Sequence, residues 1–201
     1  MSLSAVPGRD TVYVFFGRST GGRPAAARRL LRRAGGALLG RPEAEIGVGR
    51  DAAGRPFVRA GDAAGPAVSV SHAGDIVVVA ARRAGGVGVD VETRRELPAV
   101  ALARRWYAPQ EADWVAERPA ERRAEAFLAL WTAKEAVGKV LGRGLRDGGL
   151  ARRMPVPDGP LLPVPDGPDG LRVGHPLLGG DGLVLAVAVC GTVDGVELIV
   201  D

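Results

Sequence analysis

The chain has one cysteine and two histidines among its 201 residues, so it closes no internal disulfide and cannot assemble the usual His/Cys zinc site. Cys190 sits in the apolar run LVLAVAVCG, where a buried strand thiol is expected rather than a nucleophile. Aromatic residues make up only 4%, little material for stacking bases, which counts against single-stranded nucleic acid as the main ligand. No apolar run reaches the ~18 residues of a membrane span. The opening MSLSAVPGRDTVYVFFG lacks a charged segment followed by an apolar core and a cleavage site. The expectation is a cytoplasmic protein with no membrane partner. No serine lies in a G-x-S-x-G elbow, and Ser71 followed directly by His72 does not suggest a triad, whose members must converge in space.

What the chain does have is apolar material for a core, 46% of its residues, and a net charge of +4. The charge favours anionic partners but does not separate nucleic acid from an acidic protein or a phosphorylated cofactor. Thr11 to Phe16 is β-branched and aromatic and predicts a strand; Ala25 to Leu39 places Ala, Leu and Arg at helical spacing. AAGRPFV predicts a turn into a short strand, and AVSVSHAG predicts another. The apolar run Ile76 to Ala81 and the alternating VGVDVE read as neighbouring strands joined by the turn RRAGG. Helices are predicted over Leu97 to Trp106, Pro109 to Glu117 and Ala120 to Leu141. Arg146 to Gly170 repeats PVPDGP and predicts a surface loop, followed by strands at Leu183 to Val189 and Val196 to Val200. This is an α+β chain in two mixed halves, residues 1–92 and 93–201.

Strand alternation in VGVDVE aims Asp90 and Glu92 from one face while Val87, Val89 and Val91 take the other. Paired carboxylates repel unless solvent, a base or a cation lies between them, and hard cations such as Mg²⁺ favour such oxygens. Taken alone, the hexapeptide fits a solvated strand face better. On the helix FLALWTAKEAVGKVLG, Glu135 and Lys139 are four residues apart and share a face, as an ordinary ion pair would. Lys134 falls near the apolar stripe of Phe127, Leu130, Trp131 and Leu141. An inward lysine wants an anion, although snorkelling along a packed stem is the commoner arrangement. Ser71 and His72, at the end of a strand, suit a phosphate or a turn cap. His175 reads as structural or exposed, and Trp106 and Trp114 as core.

In this order GRP, SVSHAGD, GVGVDVE and FLALWTAKEAVGK resemble the Sfp-type (surfactin-synthetase-activating) family of 4′-phosphopantetheinyl transferases. The family pattern is a strand ending in Ser-His, then G-[IV]-D-[IV]-E, then W-[ST]-x-K-E-x-x-x-K on a later helix. The resemblance implies a pseudo-dimer of two similar α+β halves with the active site at their interface. It makes Asp90, Glu92 and Glu135 ligands of Mg²⁺, with Mn²⁺ as the alternative ion. It puts Lys139 on the pyrophosphate of coenzyme A, Ser71 and His72 at the nucleotide's phosphates, Arg55 and Pro56 near the adenosine, and Arg23 at the 3′-phosphate. Glu111, in YAPQE, is similar to a family glutamate near the metal. The N-terminal stretch is short beside typical relatives, and Arg28, Arg29, Arg32 and Arg33 are available in place of its basic segment.

The implied reaction moves phosphopantetheine from coenzyme A to a serine of an apo acyl or peptidyl carrier protein, in fatty acid, polyketide or nonribosomal peptide synthesis. Glu135 is the candidate general base and Lys139 the catalytic cation. The attacked serine lies on the partner, which suits a chain without a convincing nucleophile. A monomer is expected. Two rivals are a paralogue that binds coenzyme A or a carrier without catalysis and a basic nucleic-acid-binding domain, for which no helix-turn-helix, zinc-finger or RNP pattern is found.

Overall fold

The computed structural model describes residues 10–146, 148–157, 161–176 and 182–200. The chain is mixed α+β and forms two compact units, one from residues 1–88 with 191–201 and one from 89–190.

In the first unit, β1 (Thr11–Arg18) is buried from Val12 to Phe16, which its unbroken apolar composition requires. It leads to α1 (Arg23–Leu39), with proline in its first turn and Gly40 in the left-handed conformation at its end, both favoured at those positions. Ala26, Leu30, Leu31, Ala34 and Leu38 turn inward on this helix, while Arg28, Arg29 and Arg32 stay exposed. Burying each leucine is worth about 1.5–3 kcal/mol. Gly35 lets the helix approach its neighbour: a Cβ there would lie 2.7 Å from the Ile46 side chain.

Next come β2 (Ile46–Arg50), β3 (Pro56–Ala60) and β4 (Ala63–Ala64), a small antiparallel sheet in that order. β5 (Ala67–Ala73) and β6 (Ile76–Arg82) form a hairpin in which His72 faces Val77. β7 (Gly86–Thr93) follows. The expected pairing of β6 with β7 is not found. Both edges of β6 are filled, one by β5 and the other by β1, with Tyr13 opposite Ala81. β7 therefore enters a different sheet, and RRAGG links two sheets. Its first residue, Arg82, is 1% exposed, and its guanidinium donates to the Thr192 carbonyl.

The second unit contains α2 (Ala99–Trp106), α3 (Pro109–Ala116) and α4 (Arg123–Val140), followed by β8 (Leu162–Pro163), β9 (Leu171–Gly174) and β10 (Leu183–Cys190), with sheet order β7-β10-β9-β8. Phe127, Leu130, Ala133 and Val137 of α4 share a core with Val184, Ala186 and Ala188 of β10. Tyr107 stacks on Phe127 at 4.9 Å between ring centroids, and Trp106 and Trp114 pack against the same core. Part of the proline-rich segment is ordered as the edge strand β8, where a proline is tolerated; residues 158–160 of the first PVPDGP lie outside the described residues. Cys190 is half-buried at the end of β10 rather than enclosed within it. Finally β11 (Gly195–Val200) returns to the first unit and pairs in parallel with β1, giving the order β11-β1-β6-β5. No helix among the described residues is long and apolar enough to cross a membrane.

His175 has a structural place. Its Nε2 lies 2.8 Å from the Ala129 carbonyl and must donate to it, while burial holds the imidazole below its ordinary 6.5 against the opposing pull of that hydrogen bond. The unfolded chain therefore takes up this proton at a higher pH than the folded one. The resulting stability is fully present above about pH 6.5 and is lost as pH falls through the folded value. Thermal melts from pH 7.5 to 5.5 should show the wild type losing stability on acidification, with a shallower slope in His175→Asn.

Candidate functional site

The second unit gathers acidic and basic side chains from β7 and α4. β7 is packed on both faces from Val87 to Val91, so Asp90, 7% exposed, is a carboxylate withdrawn from water. Such a charge needs a partner. It has one in Lys139, on the last turn of α4, whose Nζ lies 2.9 Å from Asp90 Oδ1 and 2.8 Å from the Val89 carbonyl. The lysine that shares a helix face with Glu135 thus reaches across to the strand. Glu92, nearer the surface, accepts from Arg95 at 2.7 Å. Glu135, on α4, has its carboxyl raised above the ordinary range, first by burial, then by the Asp90 carboxylate and more weakly by Glu92, against the opposing pull of Lys139.

The chain turns back sharply behind Lys139. The amides of Arg143 and Gly144 both donate to the Gly138 carbonyl, and a Cβ on Gly138 would lie 2.2 Å from the Gly144 carbonyl oxygen. Glycine is required at that approach.

Three carboxylates are donors of the right kind for a hard divalent cation, and Asp90 and Glu92 act on Glu135 as like charges that a cation would offset. Among the described residues, however, no three His, Cys, Asp or Glu side chains form a ready cation site. Lys139 and Arg95 supply positive charge to Asp90 and Glu92.

The first unit holds the other candidates. Ser71 and His72 lie near the end of β5, the serine buried and the histidine exposed. Arg23, exposed at the start of α1, donates through Nε to the Gly74 carbonyl at 3.1 Å, just beyond His72. Arg23 thus lies near the strand end that carries the exposed His72. Arg55 and Pro56 lie at the turn into β3, where Asp51 accepts from the amides of Ala53 and Arg55 and, at 2.8 Å, from Arg55 Nε. The hydrogen bonds from Arg55 hold the Asp51 carboxyl below its usual range. Asp51 as the partner of Arg55 escaped the sequence reading, although an aspartate opening D-x-x-G-R is a recognisable turn signal. Arg95 escaped it too, since an arginine three residues after Glu92 is unremarkable in this composition.

Lys134 finds an anion rather than snorkelling. It is 0% exposed, and its Nζ lies 2.8 and 2.7 Å from the two oxygens of Glu111 and 2.5 Å from the Arg152 carbonyl. The Tyr107 ring centroid is 4.7 Å away. Glu111 also accepts from the amides of Ala108 at 3.1 Å and Met154 at 2.7 Å. The glutamate that the resemblance places near the metal thus gives both oxygens to a lysine and two amides.

Residues 86–160 match the family model of the 4′-phosphopantetheinyl transferase superfamily. The chain is 33% identical over 136 residues to the putative 4′-phosphopantetheinyl transferase slr0495 of Synechocystis sp., covering 62% of this chain and 54% of that protein. It is 38% identical over 80 residues to the 4′-phosphopantetheinyl transferase psf-1 of Bacillus pumilus, covering 40% and 34%. It is 35% identical over 158 residues to the L-aminoadipate-semialdehyde dehydrogenase-phosphopantetheinyl transferase of Eremothecium gossypii, covering 72% and 54%. The chain thus spans about half or less of the length of these relatives. The likeness carried by the motifs is borne out.

Removing one member of the enclosed ion pair leaves the other buried without its charge partner. Glu111→Ala should cost roughly 3–5 kcal/mol in a urea melt, whereas an exposed carboxylate such as Glu121 should be replaceable by alanine within about 0.5 kcal/mol.

Proposed function

We propose that this chain, whose residues 86–160 match the phosphopantetheinyl transferase model, moves the 4′-phosphopantetheine arm of coenzyme A to a serine of an apo acyl or peptidyl carrier protein and releases adenosine 3′,5′-bisphosphate. The observation that carries this reading is the gathering of Asp90, Glu92, Glu135 and Lys139 on β7 and α4, inside that matched segment. Two further features support it: the first unit offers cationic and hydroxyl groups suited to a nucleotide's phosphates, and the chain has no convincing nucleophile of its own.

In this reading Asp90, Glu92 and Glu135 hold Mg²⁺ or Mn²⁺, which when bound supplies charge neutralisation at the phosphate oxygens. Lys139, already directed at Asp90, adds positive charge to the pyrophosphate. Glu135 takes the proton of the attacking serine hydroxyl. The serine oxygen forms a bond to the phosphorus that bears the pantetheine, and the bond from that phosphorus to the departing adenosine bisphosphate breaks. Arg23 binds the 3′-phosphate, Arg55 and Pro56 the adenosine end, and Ser71 and His72 the phosphates. The exposed Nε-anchored guanidinium of Arg23, bonded just beyond His72, supports grouping these contacts. Holding the two reactants in line replaces an encounter in solution and accounts for much of the expected acceleration. The protein acts as a cytoplasmic monomer, and its +4 charge suits an acidic acceptor.

Intact-mass spectrometry of apo carrier proteins incubated with this protein and coenzyme A tests the reading. The expected result is a Mg²⁺-dependent gain of ~340 Da, the mass of the transferred arm. Asp90→Ala and Glu135→Ala should lose more than about 100-fold in rate while keeping a cooperative melt. Wild-type turnover in either removes the cation assignment. Coenzyme A binding without transfer to any carrier favours the non-catalytic paralogue, and no binding refutes the reading.

A further inference from the structure

The proposed chemistry leaves a buried ion pair of the second unit, Lys134 with Glu111, without a task. Lys134 immediately precedes Glu135 on α4, yet it points into the protein and is 0% exposed. Its three ammonium hydrogens are matched by three acceptors, the two Glu111 oxygens and the Arg152 carbonyl, all within 2.8 Å. Glu111 is equally engaged, binding the Ala108 amide at the start of α3 and the Met154 amide in the segment after α4. One ion pair therefore fastens three pieces of backbone together: the first turn of α3, the middle of α4 and residues 152–154.

Stability alone does not call for this arrangement. A methionine and another apolar residue of matching volume would fill the same space, and such replacements of buried ion pairs are often neutral or stabilising, apart from the cost of the Ala108, Met154 and Arg152 backbone groups they leave unpaired. An apolar contact, however, tolerates small rotations and slides of a helix, whereas three directed hydrogen bonds at one ammonium admit a single register. Successive residues on α4 are ~100° apart, so fixing Lys134 on one side fixes the direction in which Glu135 leaves the helix on the next. Lys139 follows one turn later and reaches Asp90 and the Val89 carbonyl. Helix α4 is thus held at two points, a dry one at Lys134 and a wetter one at Lys139, with Glu135 between them in sequence.

We propose that Lys134 and Glu111 are positioning residues whose buried ion pair sets the rotation of α4 and thereby holds Glu135 and Lys139 in working geometry beside Asp90. This rests on the transferase reading of that site. Neither member touches the reacting atoms; both act through Glu135 and Lys139.

The test is the neutral pair Lys134→Met with Glu111→Gln, in which the methionine fills the lysine's stem and the glutamine's single oxygen keeps an acceptor for one of the two amides. Three quantities are read on full-length protein: Mn²⁺ affinity by electron paramagnetic resonance, kcat and KM for coenzyme A by intact mass, and the melting temperature. Val115→Ala, a core truncation one turn along α3 from Glu111 that leaves both charged groups in place, serves as a packing control. The expected result is a 10–100-fold weaker Mn²⁺ affinity, the scale seen when groups that orient metal ligands are removed. A fall in kcat of at least about tenfold at saturating coenzyme A should accompany it, with no such losses in Val115→Ala at similar melting temperature. Glu111→Asp, which keeps the charges but shortens one arm, should recover part of both. Wild-type affinity and kcat in the neutral pair, or equal losses in the packing control, overturn the proposal. If the neutral pair does not fold, Glu111→Asp decides by the same readouts. A wild type that neither binds Mn²⁺ nor transfers the arm refutes the transferase reading itself, a result distinct from an active wild type with an equally active neutral pair.

Discussion

A charge removed from water must be met by an opposite charge or a full set of hydrogen bonds, and the second unit is organised by that requirement twice. Asp90 on β7 is met by Lys139, and Glu111 on α3 by Lys134. Both cations belong to α4, the helix that also carries the core of this unit. Helix α4 therefore has its rotation limited by apolar packing against β10 and by two ionic contacts to other elements. The apolar contacts provide most of the attraction. The ionic ones add direction, because hydrogen bonds to an ammonium are specific in distance and angle in a way that dispersion is not.

The two contacts differ in surroundings. Lys134 is wholly enclosed, with every acceptor fixed by backbone or by the same carboxylate. Lys139 keeps 28% of its side chain exposed. An enclosed pair changes partners only by unfolding its neighbourhood, whereas a partly solvated ammonium can exchange one anion for another at small cost. That contrast suits a structural role for the first and a ligand-facing role for the second.

The elements with strong local periodicity were legible in the sequence: β1, α1, the three helices of the second unit and β7 all lie where composition and spacing put them. Partner choice was not legible. Whether β6 pairs with β7 or with β1 depends on residues far apart in the chain, and the adjacent strands with a glycine turn resembled a hairpin until β1 took the available edge. β9 is four residues long, too short for alternation to register. In the site, the residue types and the strand face were readable, as was the inward lean of Lys134. The identity of its anion, 23 residues earlier on another helix, follows only from tertiary packing. Cys190 is the last residue of an apolar run, and its position at the strand end, where burial gives out, could not be told from composition.

The parallel pairing of β11 with β1 bears on biosynthesis. Thr11 lies opposite Gly195 and Phe16 opposite Val200, so one edge of the first sheet is completed by residues made nearly two hundred positions later. On a ribosome the second unit, whose residues are contiguous from 89 to 190, can close while β1 still waits with its outer edge unpaired. Of the two units, the one begun earlier is thus finished later, an order that exposes an apolar strand during translation.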